Sequence, residues 1–307
     1  MKGPIVVLAG PTASGKTELA LRLAEALDGE VVGADSQQVY RSLAIGTAKP
    51  SAEARAKVPH HLVDVADLDA QWTAARYVEA AERALSEISG RGRVPLVVGG
   101  TFLWIRSLLY GLAPAPPRCE AVRRRLEACA EREGSAALHT RLAQLDPKTA
   151  ARLHPNDRVR IIRALEVHEV SGEPLSAHLA RHVMRPRYRF RLLALAVERE
   201  ELRARIRRRV EAMIAAGWGE EAEAAAARFG EARVAKVLGY ADVLKWRRGK
   251  ATREETVERI AARTWHYAKR QLLWLRADPH TEWIPAEADP EAVASDLRRW
   301  IARQRGT

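Results

Sequence analysis

The sequence predicts an α/β fold: a P-loop parallel sheet flanked by helices and interrupted by an all-helical insertion domain. Three observations predict it. Short uninterrupted apolar runs alternate with helical patterns, as strands buried on both faces require. The first such run leads directly into a Gly-rich loop of the form G-x-x-x-x-G-K-[ST]. Finally, residues 114–182 carry helical patterns only, and they begin at a Pro114-Ala-Pro-Pro117 break.

The elements follow in order. Ile5–Ala9 (IVVLA) is apolar and rich in β-branched residues, so it reads as a buried strand, and a helix pattern runs from Gly15 to Leu27. Val31–Ala34 is a second strand, ended by Asp35; Ala74–Ser89 is helical; and Pro95–Val98 is a third strand after Arg-Gly-Arg. Within the insertion, Gly134 and Asp146-Pro147 stop helices. His154-Pro-Asn-Asp157 has the chemistry to start one that runs to Val170. Arg191–Val197 (RLLALAV) returns to a buried-strand pattern, followed by helices at Glu200–Ala216 and Arg253–Arg276. The expected division is therefore a core of residues 1–113 and 183–307 with an insertion at 114–182. There is no convincing internal repeat.

Composition narrows the class. A 307-residue chain with 47% hydrophobic residues can build a real core and is no disordered tail. No apolar run approaches the roughly 18–20 residues of a membrane helix, and the start lacks a signal-peptide cleavage site. A cytoplasmic protein with no membrane association is expected. The net charge of +12 favours a polyanionic partner, either nucleic acid or lipid headgroups. Of the 51 basic residues 42 are arginine, an excess that a GC-rich genome would also produce. Cys119 and Cys129 are too few for a disulfide framework or a zinc finger and read as inert thiols. His60-His61 has no further His or Cys at ligand spacing, so no metal centre is expected there.

The chemistry gathers at strand ends. Gly10-Pro11-Thr12-Ala13-Ser14-Gly15-Lys16-Thr17 fits the P-loop pattern at every fixed position, between a strand and a helix. Its backbone N–H groups and helix N-terminus suit phosphate, Lys16 adds a point charge, and Thr17 is placed to ligate Mg²⁺. The motif reports a bound di- or triphosphate without naming its carrier. Asp35 at the second strand end can hold Mg²⁺ through water or act as a general base; a helix N-cap is the competing role. Ser36-Gln37-Gln38 offers uncharged donors and acceptors for base edges. Gly99-Gly100-Thr101 ends the third strand, where the Thr101 hydroxyl can donate to a reacting oxygen or cap a helix. In an open parallel sheet these three ends converge on one crevice.

Basic residues cluster elsewhere. The segment Arg185–Arg209 holds ten arginines against three acids. Arg205 and Arg209, spaced i, i+4, share a helix face able to clamp a diphosphate or a phosphodiester. Arg158, Arg160 and Arg163 follow the His154–Asp157 start on one helix. Thr264–Arg276 interleaves aromatics with Lys269, Arg270 and Arg276, a pattern suited to unstacked RNA bases, although Trp265 and Trp274 read more simply as core anchors.

With these residues in hand, the sequence resembles a known family, the tRNA dimethylallyltransferases or tRNA isopentenyltransferases. The resemblance is carried by GPTASGKT (10–17), DSQQVY (35–40), IGTAKP (45–50) and PHHLVD (59–64). Gly99–Thr101, His154–Asp157, RALEV (163–167), Gly239-Tyr240 and KRQLLWLR (269–276) extend it nearly end to end, in order. It implies transfer of the dimethylallyl group from dimethylallyl diphosphate to N6 of adenine 37, beside the tRNA anticodon, with release of diphosphate. The P-loop would then bind the prenyl diphosphate, with Mg²⁺ on Thr17 and help from Arg205 and Arg209. Asp35 would take the N6 proton, and Thr101 would bond near the leaving oxygen. Ser36, Gln37 and Gln38 would hold the everted base. By the family pattern, Arg123 and Val159-Arg160-Ile161-Ile162-Arg163 would contact the anticodon stem-loop. A monomer is expected. The zinc finger of eukaryotic relatives has no counterpart here, which points to the bacterial type, and Lys236 stands where some relatives carry Arg. Two other functions fit the bare motifs: a P-loop small-molecule kinase that needs ATP, and a non-catalytic RNA-binding module with a vestigial P-loop.

Overall fold

The computed structural model describes residues 2–305. The chain divides into two compact units, Met1–Leu109 with Pro186–Thr307, and Tyr110–Arg185.

The first unit is built on six strands: β1 (Lys2–Ala9), β2 (Gly29–Ala34), β3 (His60–His61), β4 (Val94–Gly99), β5 (Tyr188–Ala196) and β6 (Thr281–Pro285). They form one sheet in the order β3-β2-β4-β1-β5-β6, with every neighbouring pair parallel. β1 lies inside it, with Val7 opposite Val97 on one side and Leu192 on the other. A strand covered on both faces has no use for a polar alternation, hence the unbroken IVVLA run. Ala9 and Ala34 both pair with Gly99, so the loops after β1, β2 and β4 leave the sheet at one level.

β3 and β6 are strands that the periodicity did not reveal. β3 is two residues long, and β6 (TEWIP) has no fully buried residue. The side chains of β3 serve packing. His61 Nε2 sits 2.6 Å from the buried Glu30 carboxylate, which Arg91 also grips at 2.7 Å. Burial alone would raise the Glu30 carboxyl, but the Arg91 and His61 hydrogen bonds outweigh it and hold it below its ordinary range.

Helices α1 (Lys16–Ala26), α2 (Ala52–Lys57), α3 (Ala74–Gly90) and α4 (Phe102–Tyr110) come first. In the second unit follow α5 (Glu120–Glu133), α6 (Ser135–Leu145), α7 (Pro147–Ala150), α8 (Arg158–Ser171) and α9 (Leu175–Arg181). Back in the first unit are α10 (Arg199–Ala215), α11 (Trp218–Phe229), α12 (Glu231–Val234), α13 (Tyr240–Arg247), α14 (Arg253–Ala277) and α15 (Pro290–Arg305). Helix α1 buries Leu19, Ala20, Leu23 and Ala24, a helical stripe, against Val6, Leu8, Leu193 and the Leu297–Ile301 face of α15. Each such leucine contributes ~2 kcal/mol by leaving water. A second cluster joins α10, α11, α13 and α14 around Trp218, Tyr240, Val257 and Ile260. Beyond α4 the chain returns beside its point of departure: Arg187 N donates to Leu109 O at 2.8 Å.

The second unit has its own core of Leu126, Leu138, Leu142, Ile161, Ile162 and Leu165. Asp157 caps α8 by accepting from Arg160 N at 3.3 Å. Glu166, fully buried, accepts from Cys119 N at 2.7 Å and pairs with Arg163 at 3.0 Å and Arg123 at 3.8 Å. Arg163 also donates to Pro116 O at 2.6 Å, so the proline-rich break is tied down onto α8. Breaking such a knot by removing one partner strands the others. Glu166→Ala should therefore destabilise this unit by about 3 kcal/mol in a denaturant titration. A midpoint equal to the parent's would show that the knot is not holding the unit together.

Candidate active site

The P-loop geometry follows from its sequence. Gly15 begins α1 with φ 97°, a left-handed turn natural to glycine, and Ala13 takes φ 64° before it. The loop is drawn together by Ser14 N donating to Pro11 O at 3.3 Å and by Lys16 Nζ donating to the same carbonyl at 2.7 Å. Ser14 Oγ is buried with no hydrogen-bond partner among the described residues. Beside this loop lies a cavity of about 130 Å³. Thr12, Lys16 and Thr17 line one wall, and Asp35, Gln37 and Gln38 another.

Arg209 reaches the same cavity from α10. Burial lowers its pKa, against the pull of Asp35. Lys16 is also depressed, to about 7, first by removal from water and then by the Arg209 charge, with Asp35 opposing. Arg209 has no hydrogen bond or ion pair of its own among the described residues. Two cations that disfavour each other's charge, with one carboxylate nearby, describe a site that an anion would complete.

Asp35 continues directly from β2, and its Oδ1 accepts from Gln37 N at 2.8 Å. The Thr101 hydroxyl accepts from Ser36 N at 2.9 Å and reaches Ser36 Oγ at 3.3 Å, so it fixes the Asp35 edge and does not itself line the cavity. The close approach that Gly99 and Gly100 permit is to protein: a Cβ on Gly99 would strike the Ala34 carbonyl, and one on Gly100 would strike Gln271.

Several important side chains escaped the motif reading. Gln271, buried in α14, accepts from Thr12 N at 2.8 Å and donates to Gly100 O at 2.8 Å, tying the P-loop to the end of β4. The Tyr267 hydroxyl lies beside Gly100 and Thr101, and its pKa is pushed to about 12, mainly by burial and then by Asp35. Glu221 accepts from Ala44, Ile45 and Gly46 N–H groups at 2.6, 2.7 and 2.9 Å, and from the Tyr240 hydroxyl at 2.6 Å. That one carboxylate explains IGTAKP as a folded turn. Lys49 within it pairs with Asp64 of PHHLVD, and Gln38 donates to Thr47 O and Ala48 O at 3.1 and 3.0 Å. The only advance sign of Gln271 was an amide set in the apolar run QLLWL.

Other expected site residues lie apart. Arg205 pairs with Glu201 at 2.8 Å and Glu287 at 3.3 Å and does not line the cavity, because a side chain one turn before Arg209 finds acids at the surface first. In the second unit, Ile161 and Ile162 are core residues, so their side chains are not available as contact groups. Arg123 and Arg163 are bound to Glu166, whereas Val159 and Arg160 face solvent. Trp274, expected in the core, is 42% exposed beneath Arg106. Trp265 is half-buried, with Arg199, Arg203 and Lys269 over its ring.

Comparison with known proteins places the chain in a family. The profile described as IPP transferase matches residues 38–278. A tRNA dimethylallyltransferase of Anaeromyxobacter dehalogenans is 50% identical over 296 residues, covering 96% of this chain and 99% of that protein. One from Geobacter sulfurreducens is 47% identical, covering 96% of each. The crystal structure of a tRNA isopentenylpyrophosphate transferase from Bacillus halodurans superposes with TM-score 0.71 at 35% identity, covering 99% of this chain and 97% of that one. A eukaryotic dimethylallyltransferase acting on tRNA gives TM-score 0.78 at 27% identity, covering 99% of this chain and 78% of that one. None of these relatives is a kinase. With the profile matching most of the chain and relatives of about half identity covering nearly all of it, the chain belongs to the tRNA dimethylallyltransferase family.

Proposed function

We propose that this protein transfers the dimethylallyl group of dimethylallyl diphosphate to N6 of adenine 37 in tRNA, releasing diphosphate. The observation that carries this reading is the convergence of Lys16, Arg209 and the P-loop on a cavity that Asp35 also lines. The P-loop amides hold the diphosphate, and Lys16 and Arg209 neutralise the charge that grows on it as the C1–O bond breaks. The N6–C1 bond forms, and Asp35 accepts the proton that N6 gives up. Gln37 offers a carboxamide to the purine, which must leave its stack to enter. Thr101 and Gln271 act on position, holding the Asp35 edge and the P-loop in register.

Thr17 and Asp35 present hard oxygen donors to one cavity, which fits Mg²⁺. No cluster of three His, Cys, Asp or Glu stands among the described residues, so such an ion would take its remaining ligands from phosphate and water. When bound, Mg²⁺ would neutralise part of the diphosphate charge. In the second unit, Val159 and Arg160 are the most exposed members of the set proposed to meet the anticodon arm. Among the described residues no helix is long and apolar enough to cross a membrane. A cytoplasmic monomer is the proposed working form.

The direct test is incubation with labelled dimethylallyl diphosphate and an anticodon stem-loop carrying A37. Label should enter it and not a G37 control; label in neither, or in both, overturns the reading. Asp35→Ala should lower kcat by roughly 10²–10⁴-fold and leave tRNA affinity largely intact. Equal kcat would remove Asp35 as the base.

Lys16 gives a pH signature. With its pKa near 7 in the free protein, its charge is lost as pH rises through neutrality, although bound diphosphate favours the charged form. Above pH 7, binding of dimethylallyl diphosphate should take up a proton and weaken with pH. Calorimetry in buffers of different ionisation enthalpy measures this, and zero uptake at pH 8 would contradict it. The same shift has a consequence for folding: the folded state binds fewer protons between about 7 and 10.5, so this group's contribution to stability rises over that window. Arg160→Ala should lower the salt slope of tRNA binding by about 1, with an unchanged slope excluding a phosphate contact.

A further inference from the structure

We infer that Trp218 is the fixed end wall that limits the transferred chain to a single isoprene unit; the inference rests on the dimethylallyl-transfer reading of this site. The cavity has two chemical halves. Asp35, Gln37 and Gln38 line its polar side, while Ile206, Val210 and Met213 line the side formed by α10. Ile206 and Met213 stand at i−3 and i+4 from Arg209, on its face of α10, with Val210 lining the cavity beside them, so an alkyl chain leaving a diphosphate held by Arg209 runs along that apolar side. The purine goes to the polar half, where carboxylate and carboxamide can answer its amine. Trp218, Val237 and Ile260 line the same cavity and pack in one cluster with Val210 and Met213.

Trp218 cannot swing aside to admit more. Its ring is 2% exposed and meets Tyr240 edge-on, with centroids 5.5 Å apart at 80°. Gly46 and Gly239 press against it from separate segments. A Cβ on Gly46 would strike the indole and come within 2.7 Å of Tyr240, and one on Gly239 would lie 2.7 Å from Trp218 Cζ2. Tyr240 is itself anchored to Glu221, which holds the Ala44–Gly46 turn. The wall is thus braced by a close-packed, hydrogen-bonded assembly that yields no volume.

The experiment compares dimethylallyl and geranyl diphosphate as donors to the A37 stem-loop, in the parent protein and in Trp218→Leu and Met213→Ala. The ratio of kcat/KM for geranyl over dimethylallyl should rise on the order of tenfold or more in Trp218→Leu and less in Met213→Ala. Met213→Phe, which fills the cavity in front of the wall, guards against a poorly folded Trp218→Leu. It should raise KM for dimethylallyl diphosphate while leaving inhibition by inorganic diphosphate unchanged. If Trp218→Leu is folded by circular dichroism and its donor ratio equals the parent's, Trp218 is not the wall. If Met213→Phe leaves KM for dimethylallyl diphosphate unchanged, the alkyl chain does not run along α10, and the inference falls. Failure of the parent to transfer either group to RNA would instead overturn the proposed activity itself.

Discussion

The site is organised by an electrostatic imbalance. Lys16 and Arg209 are largely shielded from water in one cavity, each without a dedicated carboxylate partner, and Asp35 only partly offsets them. Folding normally avoids this, since buried charges are paired or neutralised. Keeping it requires a rigid surround, and much of the unit supplies one. Strands β1, β2 and β4 end in register, so the loops carrying Lys16, Asp35 and Thr101 start from a common level. Gln271 then links the P-loop to the end of β4 with one amide group.

The polar framework around IGTAKP serves the same end at longer range. A single carboxylate, Glu221, gathers three consecutive backbone N–H groups, and Lys49 with Asp64 closes the other side of the turn. Backbone donors bonded in this way leave the turn one conformation. Gly46 can therefore meet Trp218, and the cavity has a defined floor. IGTAKP, one of the segments that carry the family resemblance, works here largely as scaffolding for the cavity.

How much of this was legible depended on sequence distance. The P-loop, the Asp35 edge and the four long apolar strands are local patterns, and each is where its spacing put it. Gln271, Tyr267, Glu221 and Trp218 act on segments some 170–260 residues away, for example Gln271 on Thr12 and Glu221 on Ala44, and no local period encodes such a partnership. β6 escaped notice because it is half-exposed throughout. Arg205 looked equivalent to Arg209 by helical spacing, yet nearby acids claim one and not the other. Ile161 and Ile162 belonged to a contact motif by resemblance, whereas their apolar side chains belong to the core of α5, α6 and α8.

The backbone bond between Arg187 and Leu109 closes the stem from which residues 110–185 depart. Because that stem is pinned, the sheet registers only that the chain returns, not how far it has travelled. Closing a longer excursion adds little entropy, about 0.6 kcal/mol per doubling. The helical unit also buries its own apolar residues. Evolution can thus lengthen, trim or resurface the helical unit without retuning the sheet and the loops at its edge.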